Sequence, residues 1–262
     1  MVTINTLLSH KDQLLLENTL IKNGRVVTFD QIKDVAGKGY SVEELRNRVA
    51  LLSKKGWLLR LKRGLYLVVT DFSILGLSDV SEYVIAQALN QNSYISLENA
   101  LQYHSMFDQG LRSFSSVTKT RARTYETEDR TIYRFFHVQK ELYFGFTEEV
   151  ISKSYRVNMA EAEKALLDLL YCHSSSLTAD IVLEKLKDYQ HRLDFQKLKN
   201  YAKHYSLRII REVGFLLDEI GVETNDLQKM ANLKPGSYSK MSKDSNVFNA
   251  KWRLYYDAYL TQ

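Results

Sequence analysis

Residues 41–69 carry the pattern that most constrains this chain: a capped helix, a glycine stop, and two short strands around a basic glycine turn. Ser41-Val42-Glu43-Glu44 is a capping box, in which the serine hydroxyl accepts from the backbone of Glu44 and the glutamate reaches back to the cap amide. Val42, Leu45, Val49 and Leu52 then recur at three- and four-residue spacing, so one stripe is apolar and the other face carries Glu43, Arg46, Asn47, Ala50 and Lys54. Gly56 ends that helix, and 57–61 and 65–69 read as strands around Lys62-Arg63-Gly64, where Gly64 supplies positive φ.

Upstream, residues 10–23 place Leu14, Leu15, Leu20 and Ile21 at helical spacing and stop at Asn23-Gly24. Thr28 caps a short helix through Phe29, Ile32, Val35 and Ala36, and Gly37-Lys38-Gly39-Tyr40 forces a tight turn before Ser41. Three helices followed by a hairpin is the order of a winged helix-turn-helix.

Around 71–81 the pattern loosens into a linker, which divides the chain into a winged helix-turn-helix over 1–76 and a larger unit over 77–262. In the second unit 80–91 and 97–106 read as helices, and 113–119, 131–138 and 154–157 as strands. Helices then dominate, over 160–172, 179–190, 195–204 and 207–220, the last interrupted by Gly214. A Tyr-rich period-two ending at 252–256 suggests a final strand. The expected class is α+β: an amino-terminal winged helix-turn-helix followed by a mixed α/β, helix-rich carboxyl-terminal domain.

Charge gives this order its chemical meaning. Lys and Arg outnumber Asp and Glu by 36 to 31, a mild excess, but its distribution is uneven. Between Glu44 and Asp71 there is no acid, while Arg46, Arg48, Lys54, Lys55, Arg60, Lys62 and Arg63 all fall there. A charge run alone is often a solvated face, whereas on a winged helix each cation that neutralises a phosphate releases counterions and adds affinity for duplex DNA. Arg46 and Asn47 are the candidates for reading bases, since Arg pairs with guanine and Asn with adenine in the major groove. Arg48 lies nearer the apolar stripe and is expected on a phosphate. Thr28, Tyr40 and Ser41 sit where helix starts meet backbone oxygens, with Ser41 also serving as a plain cap. Lys62 and Arg63 at the wing tip are expected on a flanking phosphate or the minor groove.

Two further basic runs occur in the carboxyl region. Lys197, Lys199, Lys203, Arg208 and Arg211 form a secondary set of DNA or partner contacts, with the water-facing sides of helices as the plainer reading. Lys229, Lys234, Lys240, Lys243, Lys251 and Arg253 form another, in which Tyr238, Tyr255 and Tyr256 interleave with the cations.

Other classes find little support. The single cysteine, Cys172, excludes an internal disulfide framework and a multi-cysteine zinc ribbon, and it fits the reducing cytoplasm. The chain opens without a basic, apolar leader and has no run of about 20 apolar residues, so no membrane partner is expected. His173, His191 and His204 lack a zinc-protease spacing, and there is no Gly-rich phosphate loop or Gly-x-Ser-x-Gly elbow, so neither catalytic residue, cofactor nor metal is assigned. The alternative reading is a metal-dependent nuclease delivered by the winged helix, with Glu161, Glu163 and Asp168 as ligands.

Four blocks resemble one family. They are GWLLRLKRGLY at 56–66, YISLENALQYH at 94–104, AEKALLDLLY at 162–171 and RIIREVGFLL at 208–217. In this order and spacing they are similar to the AbiEi-type antitoxins of bacterial type IV toxin-antitoxin, or abortive-infection, systems. The resemblance spans about residues 10–220 and leaves the last forty residues unmatched. It implies an amino-terminal domain that binds inverted repeats in its own promoter and represses it, and a carboxyl-terminal domain that opposes a nucleotidyltransferase-like toxin in phage defence. A monomer that binds paired sites cooperatively is the expected state.

Overall fold

The computed structural model describes residues 8–70, 80–127, 130–152, 155–231 and 236–261. The expected linker lies mostly outside them.

The amino-terminal elements form where local signals place them. Ser9 caps α1 (His10–Asn23), and Gly24, at φ 77°, ends it. β1 (Val26–Thr28) leads into α2 (Phe29–Ala36), which starts in a complete capping box between Thr28 and Gln31. A single 3-10 turn over Gly37–Gly39 precedes α3 (Val42–Lys54), which starts in the second box between Ser41 and Glu44. β2 (Leu58–Lys62) and β3 (Leu65–Val68) form the hairpin, and β1 joins β3 antiparallel to give a three-stranded sheet in the order β1-β3-β2. The sequence reading lacks β1, because three residues are too few to show a period of two.

That sheet is buried on both faces. Leu58 and Val68 pack with Leu15, Leu16, Ile32, Leu45, Val49 and Leu52 into the core of the three helices. The alternate residues Leu61, Leu65 and Leu67 belong to the second, larger core. The winged helix therefore leans by its sheet on the rest of the molecule. Lys62 Nζ donates to the Leu89 carbonyl at 2.6 Å, and the Arg25 amide donates to the Tyr155 hydroxyl at 2.8 Å.

The remainder of the chain is α4 (Glu82–Leu89), β4 (Ser93–Ile95), α5 (Leu97–Tyr103), β5 (Ser113–Thr118), β6 (Arg123–Glu126), β7 (Ile132–His137), β8 (Phe146–Ser152) and β9 (Tyr155–Ala160). α6 (Ala162–Cys172), α7 (Ser176–Asp188), α8 (Phe195–Ala202), α9 (Leu207–Glu219) and α10 (Asn225–Ala231) follow. The strands form one mixed sheet in the order β6-β7-β5-β4-β9-β8, with β5–β7 and β4–β9 parallel. α6 is buried from Glu163 to Leu170 and is the central helix of this unit. The chain closes with β10 (Ser239–Lys240), β11 (Val247–Asn249) and β12 (Leu254–Tyr256), a small sheet in the order β10-β12-β11. Trp252 is fully buried and donates from its indole Nε1 to Asp218 on α9 at 2.6 Å, which ties this ending to the helical core.

The architecture is the expected winged helix followed by a larger α/β unit. β4, β6, β8, α10, β10 and β11 are additions to the sequence reading. β6 is a polar, exposed edge strand and β4 only three residues long, so neither carries an alternating apolar signal.

Candidate nucleic-acid interface

α3 buries Leu45, Val49 and Leu52 and turns Arg46, Asn47, Ala50 and Lys54 outward. Arg46, Asn47 and Lys54 are exposed, and their side chains make no hydrogen bond or ion pair among the described residues. Beside them runs a groove of about 760 Å³ between α3 and the hairpin. Arg46, Lys54 and Ser53 line it from α3, Arg60, Arg63 and Tyr66 from the hairpin, and Phe29 from the start of α2. No carboxylate among the described residues lines it, so four cations act across one concavity and their fields add. Gly64, at φ 76°, makes the turn that brings Arg63 to the rim, and its carbonyl accepts from the Phe29 amide at 2.9 Å. The wing is thereby fixed to the start of α2.

Phe29 and Tyr66 are absent from the sequence assignment. Tyr66 lies directly across the ladder from Arg60. A cross-strand pair shares one face of a sheet, so the two-residue period of the hairpin contains the signal.

On the other flank of α3, Tyr40, Glu44, Asn47, Arg48 and Leu51 line a shallower depression. The Thr28 and Ser41 hydroxyls each act as a cap, accepting from the Gln31 and Glu44 amides at 3.2 Å. Glu44 accepts from the Ser41 amide at 2.8 Å, and that bond holds its carboxyl below the usual carboxylate range. The cap is therefore complete above the ordinary glutamate pKa and weakens as pH falls through the lowered one.

Three of the amino-terminal candidates have partners within the chain. The Arg48 Nε lies 2.8 Å from Asp12, whose side chain is 2% exposed, and so ties α3 to α1, while the Arg48 side chain itself stays 30% exposed. Lys62 does not sit on the wing tip's outer face. The β2–β3 register shifts between Arg60 and Lys62, and this irregularity sends the Lys62 ammonium to the end of α4. Lys55 is half-buried and has an interaction partner.

In the carboxyl-terminal run, pairing within the chain absorbs much of the charge. Lys197 lies 3.0 Å from Glu161 and 3.2 Å from Glu163. Lys199 and Lys203 lie 3.6 and 3.0 Å from Asp226. Arg208 grips both oxygens of Glu212, at 2.7 and 2.9 Å. Arg211 is 1% exposed and donates to Ser237, Ser239 and the Ala231 carbonyl, holding the end of α10. Sequence spacing placed these five on water-facing sides. Their acids come from other helices or one turn away, and linear charge counting does not see them.

Burial pushes the Glu212 carboxyl up to about 7 against the pull of Arg208. The folded state then binds a proton that the unfolded chain releases near pH 4.5, so this residue's contribution to stability is full below that pH and is lost as pH rises through about 7. Such a shift corresponds to roughly 3 kcal/mol. Thermal unfolding of Glu212→Gln is expected to show a flatter stability profile between about pH 5 and 8 than the parent chain. Parallel profiles would refute the assignment.

The three carboxylates of the nuclease reading do not converge. Asp168 is fully buried: its Oδ2 accepts from Tyr94 at 3.0 Å and Ser96 at 2.7 Å, and its Oδ1 from Tyr205 at 2.7 Å and from the Lys164 ammonium. Lys164 donates also to Tyr94 and Tyr205, at 2.8 and 2.7 Å, so acceptor sites and donors are all used. Glu163 accepts from the Asp194 amide at 2.9 Å, and Glu161 from the Tyr201 hydroxyl at 2.6 Å. Burial pushes the Cys172 thiol well above its ordinary range, the reverse of an activated nucleophile.

An amino-terminal winged helix with an acid-free groove beside its third helix, set on a larger α/β unit, defines the class. Residues 15–69 match the model of the family described as transcriptional regulator, AbiEi antitoxin. The chain as a whole is similar in fold to the crystal structure of the RV2827C protein from Mycobacterium tuberculosis, with a TM-score of 0.65 and 11% identity over 97% of this chain and 93% of that one. At that identity the likeness is one of fold alone. No curated protein matches the chain. No helix among the described residues is long and apolar enough to cross a membrane.

Proposed function

We propose that this protein is a sequence-specific transcriptional repressor that binds inverted repeats in its own promoter, autoregulates its operon, and serves as the antitoxin of a type IV pair. One observation carries the reading: Arg46, Lys54, Arg60 and Arg63 converge on a groove with no acid among the described residues that line it, and Asn47 is exposed on the same helix. α3 enters the major groove, where Arg46 and Asn47 read base edges, and Arg60, Arg63 and Lys54 neutralise flanking phosphates. The winged unit over 1–76 performs this task. The unit over 77–262 opposes a nucleotidyltransferase-like toxin in the cytoplasm, and monomers occupy paired sites cooperatively.

Fluorescence titration of the full chain with its own upstream duplex and with a scrambled duplex tests the reading. Tighter binding to the upstream sequence is expected, and Arg46→Ala should remove about 1–3 kcal/mol at one base position. Equal affinity for both duplexes overturns sequence-specific repression. Co-expression with the neighbouring gene tests the second half: relief of growth arrest is expected, and undiminished arrest refutes antitoxin action.

A further inference from the structure

We infer that the outer face of the small carboxyl-terminal sheet is a platform for single-stranded nucleic acid, separate from the duplex groove. The ladder registers place Lys240 opposite Tyr255 and Tyr255 opposite Phe248, so the three side chains form one row across β10, β12 and β11. The neighbouring row runs Ser239, Leu254 and Asn249; Leu254 there is fully buried, and Ser239 receives Arg211. Alternation therefore turns the first row to solvent. Phe248 is 48% exposed, and Tyr238, packed edge-on to Tyr255 at 5.4 Å, is 63% exposed. Phe248 meets Tyr255 at 4.9 Å, and Lys240 Nζ stands 5.2 Å over the Tyr255 ring.

Large rings left this open need an occupant with flat apolar faces, and the surrounding charge selects its sign. Between Ser237 and Tyr256 the one acid is Asp244, against Lys240, Lys243, Lys251 and Arg253. Lys251 is matched by Asp218 at 2.6 Å, while Lys240 and Lys243 are exposed. Unpaired bases stack on the rings of Phe248 and Tyr238, and Lys240, held over the Tyr255 ring that both of them touch, meets the phosphate that joins them. Sheet-borne aromatics with interleaved cations bind single strands with little regard to sequence, because every base has a π-face. Duplex DNA, with its bases already stacked, cannot use this surface.

Anisotropy titration of the full chain with labelled 12-nucleotide single strands, RNA in one arm and DNA in the other, tests the proposal. Saturable binding is expected in at least one arm. Phe248→Ala and Tyr238→Ala should each weaken it roughly tenfold, Phe248→Tyr should restore it, and Lys240→Glu should weaken it at low salt. Both rings are exposed, so thermal unfolding of these variants should match the parent. Arg46→Ala should leave single-strand binding intact while weakening duplex binding, which separates this proposal from the repressor reading. Absence of single-strand binding in both arms overturns it, as does binding that survives Phe248→Ala but falls with Arg46→Ala. A protein partner that needs Phe248, with no affinity for either single strand, overturns it equally.

Discussion

Gly214→Ala is expected to destabilise the chain by about 3–5 kcal/mol, the loss typical of removing a buried tryptophan. In an ordinary helix interior the same change stabilises by about 1 kcal/mol. Here the sign reverses because the Trp252 ring lies directly against the α-carbon, and a methyl group at Gly214 would occupy space that ring fills. Trp252 would have to leave, taking with it the hydrogen bond to Asp218 and the packing of Tyr256 on Phe215, whose ring centres are 4.6 Å apart. Urea titration of the two proteins measures the difference directly. A neutral or stabilising Gly214→Ala would show that the last strands do not dock on α9.

Asp168→Ala is expected to cost a similar 3–5 kcal/mol, the usual consequence of stranding one member of a buried ion pair. Lys164 is fully buried, and desolvation already lowers its pKa against the attraction of Asp168. Without the carboxylate the folded state favours the neutral amine still more, so the unfolded chain binds the extra proton at neutral pH. Stability of the variant should then rise with pH toward the ordinary lysine value, narrowing its gap to the parent. Denaturant midpoints at pH 7 and 9.5 give the comparison, and a gap that stays constant would contradict the role given to Lys164. Asp168→Asn keeps the shape and one of the two acceptor oxygens and should cost less.

Most of the winged helix was legible because its signals are local. Thr28 and Ser41 announce their helices within four residues, Gly24 and Gly56 end theirs, and Gly64 marks the turn. The outward placement of Arg46 and Asn47 follows in the same way, opposite a stripe in which Leu45, Val49 and Leu52 are buried, although Val42 at its start is exposed. What escaped depends on distant pairing. Arg48 has the same spacing relative to the stripe whether or not Asp12 waits on α1, and only the packing of the two helices brings them together. Lys62 reads as a wing-tip cation until the register shift at Leu61 is known. The run from Lys197 to Arg211 looks basic along the chain, yet Glu161, Glu163, Glu212 and Asp226 neutralise four of its members in space and the fifth is buried. The row through Lys240, Tyr255 and Phe248 needs the parallel pairing of β10 with β12, which no periodicity reveals.

The salt dependence of duplex binding, compared among the parent chain, Arg63→Ala and Lys62→Ala, probes the groove most directly. Each phosphate contact contributes about 0.9 to the slope of log affinity against log salt. The account predicts that Arg63→Ala lowers the slope by about that amount, and that Lys62→Ala, whose ammonium is held on the Leu89 carbonyl, leaves it unchanged. A slope that is insensitive to Arg63 and falls with Lys62 would contradict it.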